Sequence, residues 1–534
     1  MKKRRVLLLA LSLVLACASF VYASGSSDTG TSAAVPKLRL FMGNSGVPHP
    51  QGVNPSDNYY INQVKKYAGV DLEVEVPGYE DFATKSNLML ASGNLPDVVH
   101  TWIYNETIKA AEAGAFVDLK SYYDKSPVMQ KVITPSMLEY TKTQSGHYFL
   151  MPMRWTPVPG WGNYVRYDLI KKYNASKWPE SVDEWISFLR KVKQNIPDSI
   201  PISSHTWPNR IFAYGETLWL YYGVLPSGNA SRIRGGKIVP DFTTPELKEA
   251  VKMWRGLYNE GILDKEFATN DQPKRLQRVE NNNVVLGTDG ADQILGIAAY
   301  WADKGHKDWE FQITPPLKVY PAVVSDPKYT NFSYLPLPVL KNSHGMYVSS
   351  SSKYRDKAWK VVEAFASQEL LDAIFWGQEG VNYTVKDGKK VADPKMIGDP
   401  THTWALHLAV IWGFPTIFFS PVKLAEYESK IGTDKYKATY ASLDIWAKAA
   451  ETNGLDRGPF LPALDDVAKK QGDSGAFMTE VTTQAIMGKI SMEDFDAKVA
   501  EYKGTYQWMW DALTKQFQDS KETLRKSGVK TVDW

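Results

Sequence analysis

The chain has 534 residues with 62 Lys and Arg against 59 Asp and Glu, a length beyond what one hydrophobic core usually supports, so two or more lobes are expected. The near balance of charge gives no electrostatic case for nucleic acid as a partner, and a single cysteine, Cys17, excludes an intramolecular disulfide and a multi-thiolate metal site. Aromatic content is the unusual feature, with 18 Trp and 29 Tyr; most such rings belong in cores, but flat apolar faces with a polar edge also suit sugar rings.

Lys2-Lys3-Arg4-Arg5, then the apolar run Val6–Ala23, then a polar SGSSDTGTS tract, follow the order of a secretory signal peptide. Residues 1–23 are therefore expected to direct export, to the periplasm or the cell surface. An uncleaved anchor is the alternative. Val14-Leu15-Ala16-Cys17 is an imperfect lipobox, because Leu15 stands where a small residue is usual and the residues after Cys17 stay apolar. Cleavage after Ala23 is favoured over lipid attachment at Cys17. Without Lys2, Lys3, Arg4 and Arg5 the mature chain carries 58 basic residues against 59 acidic. No second apolar run has membrane-spanning length.

Residues 24–36 are small, polar and patternless, which predicts a flexible leader. Leu38–Met42 predicts a strand, Asn58–Tyr67 a helix, and Leu72–Val76 alternates as a second strand. Phe82, Met89 and Leu90 share one face of a helix over 79–92. Gly93 can end that helix and Pro96 cannot continue it. Asp97 leads into a buried strand over 97–100, and Trp102 follows where the strand runs out. Ligands gather beyond the carboxyl ends of strands in open α/β sheets, which makes Trp102 a candidate contact. Thr107–Ala113 predicts a helix and Phe116–Leu119 a short apolar segment. The alternation of strands and helices predicts an α/β fold with mainly parallel sheets.

The stretch ASGNLPDVV (91–99) resembles a signature of family 1 extracellular solute-binding proteins, the receptors of ABC importers. GAFVDL (114–119), Arg166-Tyr167-Asp168, WPESVDEW (178–185), WGQEGVNYTVKDGK (376–389) and AIMGKISMEDFD (485–496) follow in that family's order. The resemblance is nearest to the long lipoprotein and alginate-binding branch, which handles oligosaccharides. It implies two hinge-linked lobes: 37–151 as the first part of lobe one and 152–287 as the first part of lobe two. A second part of lobe one is expected over 288–343, and a helix-rich second part of lobe two over 344–534. The crossings are expected after Tyr148–Pro152, at the return strand Val284–Gly287, and near His344–Val348. The resemblance also implies a membrane permease as partner. A monomer without cofactor is expected.

Enzyme motifs are missing: no strand–GxGxxG–helix, no GK[ST] loop and no G-x-S-x-G elbow occurs. A carbohydrate-active enzyme remains the alternative class, since two carboxylates suffice for glycoside hydrolysis. A receptor for a peptide or another polar solute is the alternative within the class. The branch often carries a calcium loop after its WPESVDEW-type helix, but residues 193–199 (KQNIPDS) lack the alternating Asp/Asn ligands and the turn glycine. No metal site is expected.

Among binding candidates Glu379 leads, because glycines at 377 and 380 allow a close turn and the family places this loop at the cleft. Asn382 and Tyr383 come from the same loop. Trp102, Trp155 and Trp161 follow strands or crossing segments, and Arg154 beside Trp155 could hydrogen-bond hydroxyls or a uronate. Asp289, beyond the 284–287 strand, and Trp207 complete the set. Arg166 and Asp168 are expected to pair structurally.

Overall fold

The computed structural model describes residues 35–534 except 45–46, 140, 144, 155–161, 205–216, 227–228, 283, 290–292, 326–343, 394–395, 397–398, 414–417, 454–463 and 527–534. Lys37–Phe41 forms β1, with Leu38, Leu40 and Phe41 buried. The helix α1, Tyr59–Ala68, begins at Asn58, whose side chain accepts from the N–H groups of Tyr60 and Ile61, and ends at Gly69 with φ 62°. A cap of this kind contributes about 1 kcal/mol. Asp71–Glu75 is β2, with Leu72 and Val74 turned inward. The helix α2, Tyr79–Ser92, stops at Gly93 with φ 68°. The next strand, β3, is Val98–Thr101 and is buried throughout.

The turn between α2 and β3 shows what the 91–99 stretch does physically. The Arg39 guanidinium, on β1, donates to Asn94 Oδ1 (3.0 Å) and to the Leu95 carbonyl (2.6 Å). The Asp97 carboxylate accepts the Arg39 backbone N–H (2.8 Å) and the Ser352 hydroxyl (2.5 Å). These bonds lock β3 in register on β1. The motif is a latch.

Five further strands complete the frame: β4 (Met151–Pro152), β5 (Gly162–Arg166), β6 (Leu286–Asp289), β7 (Phe311–Ile313) and β8 (Gly345–Val348). The first sheet runs β2-β1-β3-β8-β4. Its helix-connected strands β1, β2 and β3 pair in parallel, whereas β8 is antiparallel to both of its neighbours, β3 and β4. The second runs β6-β5-β7, antiparallel, and Ile202 widens it through parallel bridges to Leu263 and Leu286. Parallel pairing in the first sheet is thus confined to neighbours that a crossover connection can join, and β8, which arrives from the other sheet, runs the opposite way.

These pairings redraw the expected lobe segments. The described part of 288–343 does not rejoin lobe one, because β6 and β7 both pair with β5, and the helix Ile294–Asp303 packs on the helices Pro421–Ile431 and Thr433–Asn453. Val284–Gly287 is therefore no return strand. Residues from 344 do not open lobe two either: β8 pairs with β3, and the helices α3 (Arg355–Ala364) and α4 (Gln368–Trp376) pack on α1. From Pro421 onward the helices do belong with the second sheet. Asp465–Ile486 packs on Met492–Asp519 and on Pro245–Asn259. A short apolar run reads alike in either sheet, and periodicity carries no information about its partner.

The aromatic excess goes largely into these cores. Trp185, Trp219, Trp254, Trp404 and Trp510 are fully buried, and Trp219 stacks on Trp254 with centroids 5.4 Å apart.

Replacing Asp97 by Ala leaves the Arg39 N–H and the Ser352 hydroxyl without their acceptor. The expected loss is about 1–3 kcal/mol, read as a lower denaturant midpoint with an unchanged slope. A midpoint equal to wild type would remove the latch.

Candidate ligand-binding cleft

Three segments of chain pass between the two sheets. The first runs from β4 to β5, the second from β7 to β8, and the third follows α4 and leads to Pro421. They are tied side by side by backbone hydrogen bonds, from Met153 N–H to the His344 carbonyl (2.9 Å) and from Arg154 N–H to the Ile411 carbonyl (2.7 Å). Gly413 has φ 90°, and a Cβ there would stand 1.7 Å from the Arg154 carbonyl oxygen. Only glycine permits that approach.

Beside this bundle, at the carboxyl ends of β1 and β3, lies an aromatic stack. The half-buried Trp102 ring sits 3.8 Å from Phe82 and 5.5 Å from His344, both nearly parallel at 22°, with Tyr79 at 6.0 Å and 30°. Phe82 is fully buried, whereas Tyr79 is 56% exposed. Gly43, just past β1, gives the Trp102 ring its room: a Cβ there would fall 2.1 Å from the indole. Its N–H donates to Nδ1 of the buried His100 (3.3 Å). Burial lowers the His100 pKa to about 4, and the acceptor role of Nδ1 requires the neutral ring.

The loop after α4 is anchored to the same rim, since Tyr59, in the first turn of α1, donates its hydroxyl to the Gly377 carbonyl (3.2 Å). Asn382 has a structural task in that loop. Its Oδ1 accepts the Gln378 N–H (2.9 Å), and a Cβ on Gly377 would collide with it. Tyr383 is half-buried, edge-on to Trp376 at 6.0 Å, with Lys390 over both rings. Glu379 is exposed, and its carboxylate makes no hydrogen bond or ion pair among the described residues.

Arg154 is half-buried at the crossing, with its Nε shielded from solvent and unbonded. Its guanidinium has no ion pair among the described residues. Asp289 ends β6, its backbone opposite Gly162, and its side chain lies outside the described residues. So do Trp155, Trp161 and Trp207 entirely. Arg166 pairs with Asp168 (2.8 and 2.7 Å) and stacks over Trp309, a structural role as expected.

Sequence reasoning missed Tyr79, His344 and Gly43. The glycine-tyrosine start of α2 is a visible signal for Tyr79. Nothing local marks His344, which reaches Trp102 only through β8. In the second lobe a cavity of about 300 Å³ lies between Gln272–Asn282 and Ile294–Asp303, bordered by Tyr164, Arg275, Gln293 and Tyr300. Among the described residues, none of the expected site residues borders it.

The 193–199 segment is held by an internal cation. Lys193 Nζ donates to the carbonyls of Pro197 (2.8 Å) and Ser199 (2.6 Å), so an ammonium gathers the oxygens that a metal loop would offer. Among the described residues no group of three or more His, Cys, Asp or Glu could hold a metal ion.

Two outcomes follow. Chelator leaves the melting temperature unchanged, whereas Lys193→Met lowers it slightly, by about 1 kcal/mol or less for so exposed a contact, with no recovery in calcium; a drop on chelation would contradict this. Because the pKa of His100 is depressed in the folded state, the unfolded chain binds the extra proton between about pH 6.5 and pH 4. Its contribution is complete above that window and declines on acidification, by about 1.4 kcal/mol per unit at most. A melting series with His100→Asn as control should show a shallower pH slope for the variant; equal slopes would exclude His100.

Comparison with known proteins fits this architecture. A family model for bacterial extracellular solute-binding proteins matches residues 60–396. Lipoprotein LipO of Bacillus subtilis is 23% identical over 93% of this chain and 94% of its own length. A carbohydrate ABC transporter substrate-binding protein of Streptococcus pneumoniae is 23% identical over 79% of this chain and 85% of its own. Among solved structures, an HMO-binding, ABC-transporter-associated solute-binding protein from Bifidobacterium longum infantis superimposes with TM-score 0.70 at 16% identity, covering 91% of this chain and 99% of that one. The alginate-binding protein AlgQ2 without calcium gives 0.63 at 19% identity, covering 93% and 100%. The chain shares its fold with these two solved structures, and it belongs to the bacterial extracellular solute-binding protein family.

Proposed function

We propose that this chain is a non-catalytic receptor that captures an oligosaccharide between its two lobes and presents it to an ABC permease in the membrane. The observation that carries the reading is the juxtaposition at the crossing. An aromatic stack with an exposed outer ring, Tyr79 beside Trp102, borders the segment that holds Arg154, which has no ion pair among the described residues. Rings take the apolar faces of a sugar, while free charged groups take its hydroxyls. Glu379, which has no hydrogen bond or ion pair for its carboxylate among the described residues, adds an acceptor on a loop anchored to the same rim. The names of the relatives point the same way, toward carbohydrate uptake.

Export follows from the leader, with cleavage after Ala23 or lipid attachment at Cys17 as the two ways of completing it. Lobe closure about the three tied segments would be a hinge motion between two states.

A glycan library screened by thermal shift identifies the ligand, since a binder at 100 times its dissociation constant adds about 2.7 kcal/mol of stability. Calorimetry with that glycan is then expected to show Trp102→Ala and Tyr79→Ala weakened and still folded. Glu379→Gln should lose roughly ten-fold, or about 1.4 kcal/mol. Turnover of the glycan would support the enzyme alternative, and unchanged affinity in all three variants would remove this rim from the site.

A further inference from the structure

The cavity in the second lobe has no task in the capture of a ligand at the rim. It measures about 300 Å³ and lies between the helices Gln272–Asn282 and Ile294–Asp303. Close-packed interiors leave few voids larger than a water molecule, so packing alone does not account for it. An engineered apolar cavity of about 150 Å³ takes one benzene ring. Twice that volume has room for two fused rings.

The border of the cavity is chemically divided. Tyr164, on β5, comes so close to Gly287 that a Cβ there would fall 2.3 Å from its ring. Trp301 and Phe418 add two further rings, and Leu276 and Ile297 face the space from the two helices. Arg275, only 6% exposed, brings a guanidinium from the first helix. Gln293 stands at the start of the second, and its side chain makes no cap bond to the first turn. Both side chains carry N–H donors.

Gly296 is the telling residue. A glycine inside a helix weakens it relative to alanine. Packing does not demand one here, because a Cβ would meet the Tyr427 hydroxyl at 3.5 Å, an ordinary contact. What Gly296 does supply is bare helix backbone at the cavity border, which a flat molecule can approach closely. A sugar does not suit this border. Its hydroxyls surround the ring, and those turned toward Leu276 and Ile297 would lose water without gaining a partner. A planar aromatic body with one oxygen acceptor meets both halves of the lining.

We propose that this cavity is a second ligand site, separate from the cleft, for a two-ring aromatic compound with a carbonyl or carboxylate oxygen at one end. Arg275 and Gln293 take the oxygen, while Tyr164, Trp301 and Phe418 take the rings. The site goes beyond the saccharide reading and does not rest on it.

The test is calorimetry of the full mature chain with 2-naphthoate and 2-naphthamide, then hydrogen exchange with whichever binds more tightly. At least one should bind, with protection over residues 272–282 and 294–303 and none over 79–82 and 100–104. Ile297→Trp and Leu276→Trp, which fill the space from the two helices, should each weaken binding about ten-fold or more. Melting curves serve as the control for folding, and Trp102→Ala should bind the probe as wild type does. The exchange measurement needs no variant, so a folding defect cannot obscure the answer. Binding of neither probe at millimolar concentration overturns the inference, as does protection at the rim in place of the two helices. Unchanged affinity in both folded Trp variants overturns it too. Each of these results leaves the receptor reading intact, because that reading stands on glycan binding at the rim.

Discussion

The structure depends on one constraint: three segments of chain must pass between the lobes within hydrogen-bonding distance of one another. The bonds from Met153 to His344 and from Arg154 to Ile411 achieve it, and Gly413 allows it by lacking a Cβ. Backbone groups that satisfy each other here need no water and no side chain. The consequence for function is positional. The same bonds that join the lobes place Arg154 at the crossing and bring His344 against Trp102.

The rim is built by a second set of close approaches. Gly43 leaves room for the Trp102 indole, the neutral His100 receives the Gly43 N–H, and Phe82 backs the stack from the core. Each part is ordinary packing chemistry. Together they hold a large ring half-exposed at the carboxyl edge of a parallel sheet, where an α/β fold gathers ligands. Closure of the lobes would then bring the second sheet toward a surface already organised.

Much of this was legible in the sequence wherever the information is local. The helix over 79–92 has the expected bounds, and Asn58 and Gly69 cap α1 as side-chain chemistry dictates. The 91–99 stretch has a structural task that it did not disclose: Asp97 and the turn before it are a latch to Arg39, and the rings of the proposed site, Tyr79, Phe82 and Trp102, lie on either side of it in sequence. What was not legible is long-range. Whether 284–287 and 345–348 pair with the first or second sheet depends on partners more than fifty residues away, and neither run carries a charged residue that would mark its partner. His344 joins the site only through that pairing. Asn382 looked like a candidate because it is polar and near Glu379, yet its amide is engaged with Gln378, a bond that no spacing rule anticipates.

The central claim is that the rim around Trp102 and the tied crossings form one ligand site. Hydrogen exchange of the mature chain with and without a bound oligosaccharide measures this most directly. Protection is expected together over residues 79–82, 100–104, 377–383, 153–154 and 411–413, because closure buries both the rim and the crossing backbone. Protection confined to the second lobe, around the cavity beside Tyr164, with the rim exchanging as fast as in the free protein, would contradict the account.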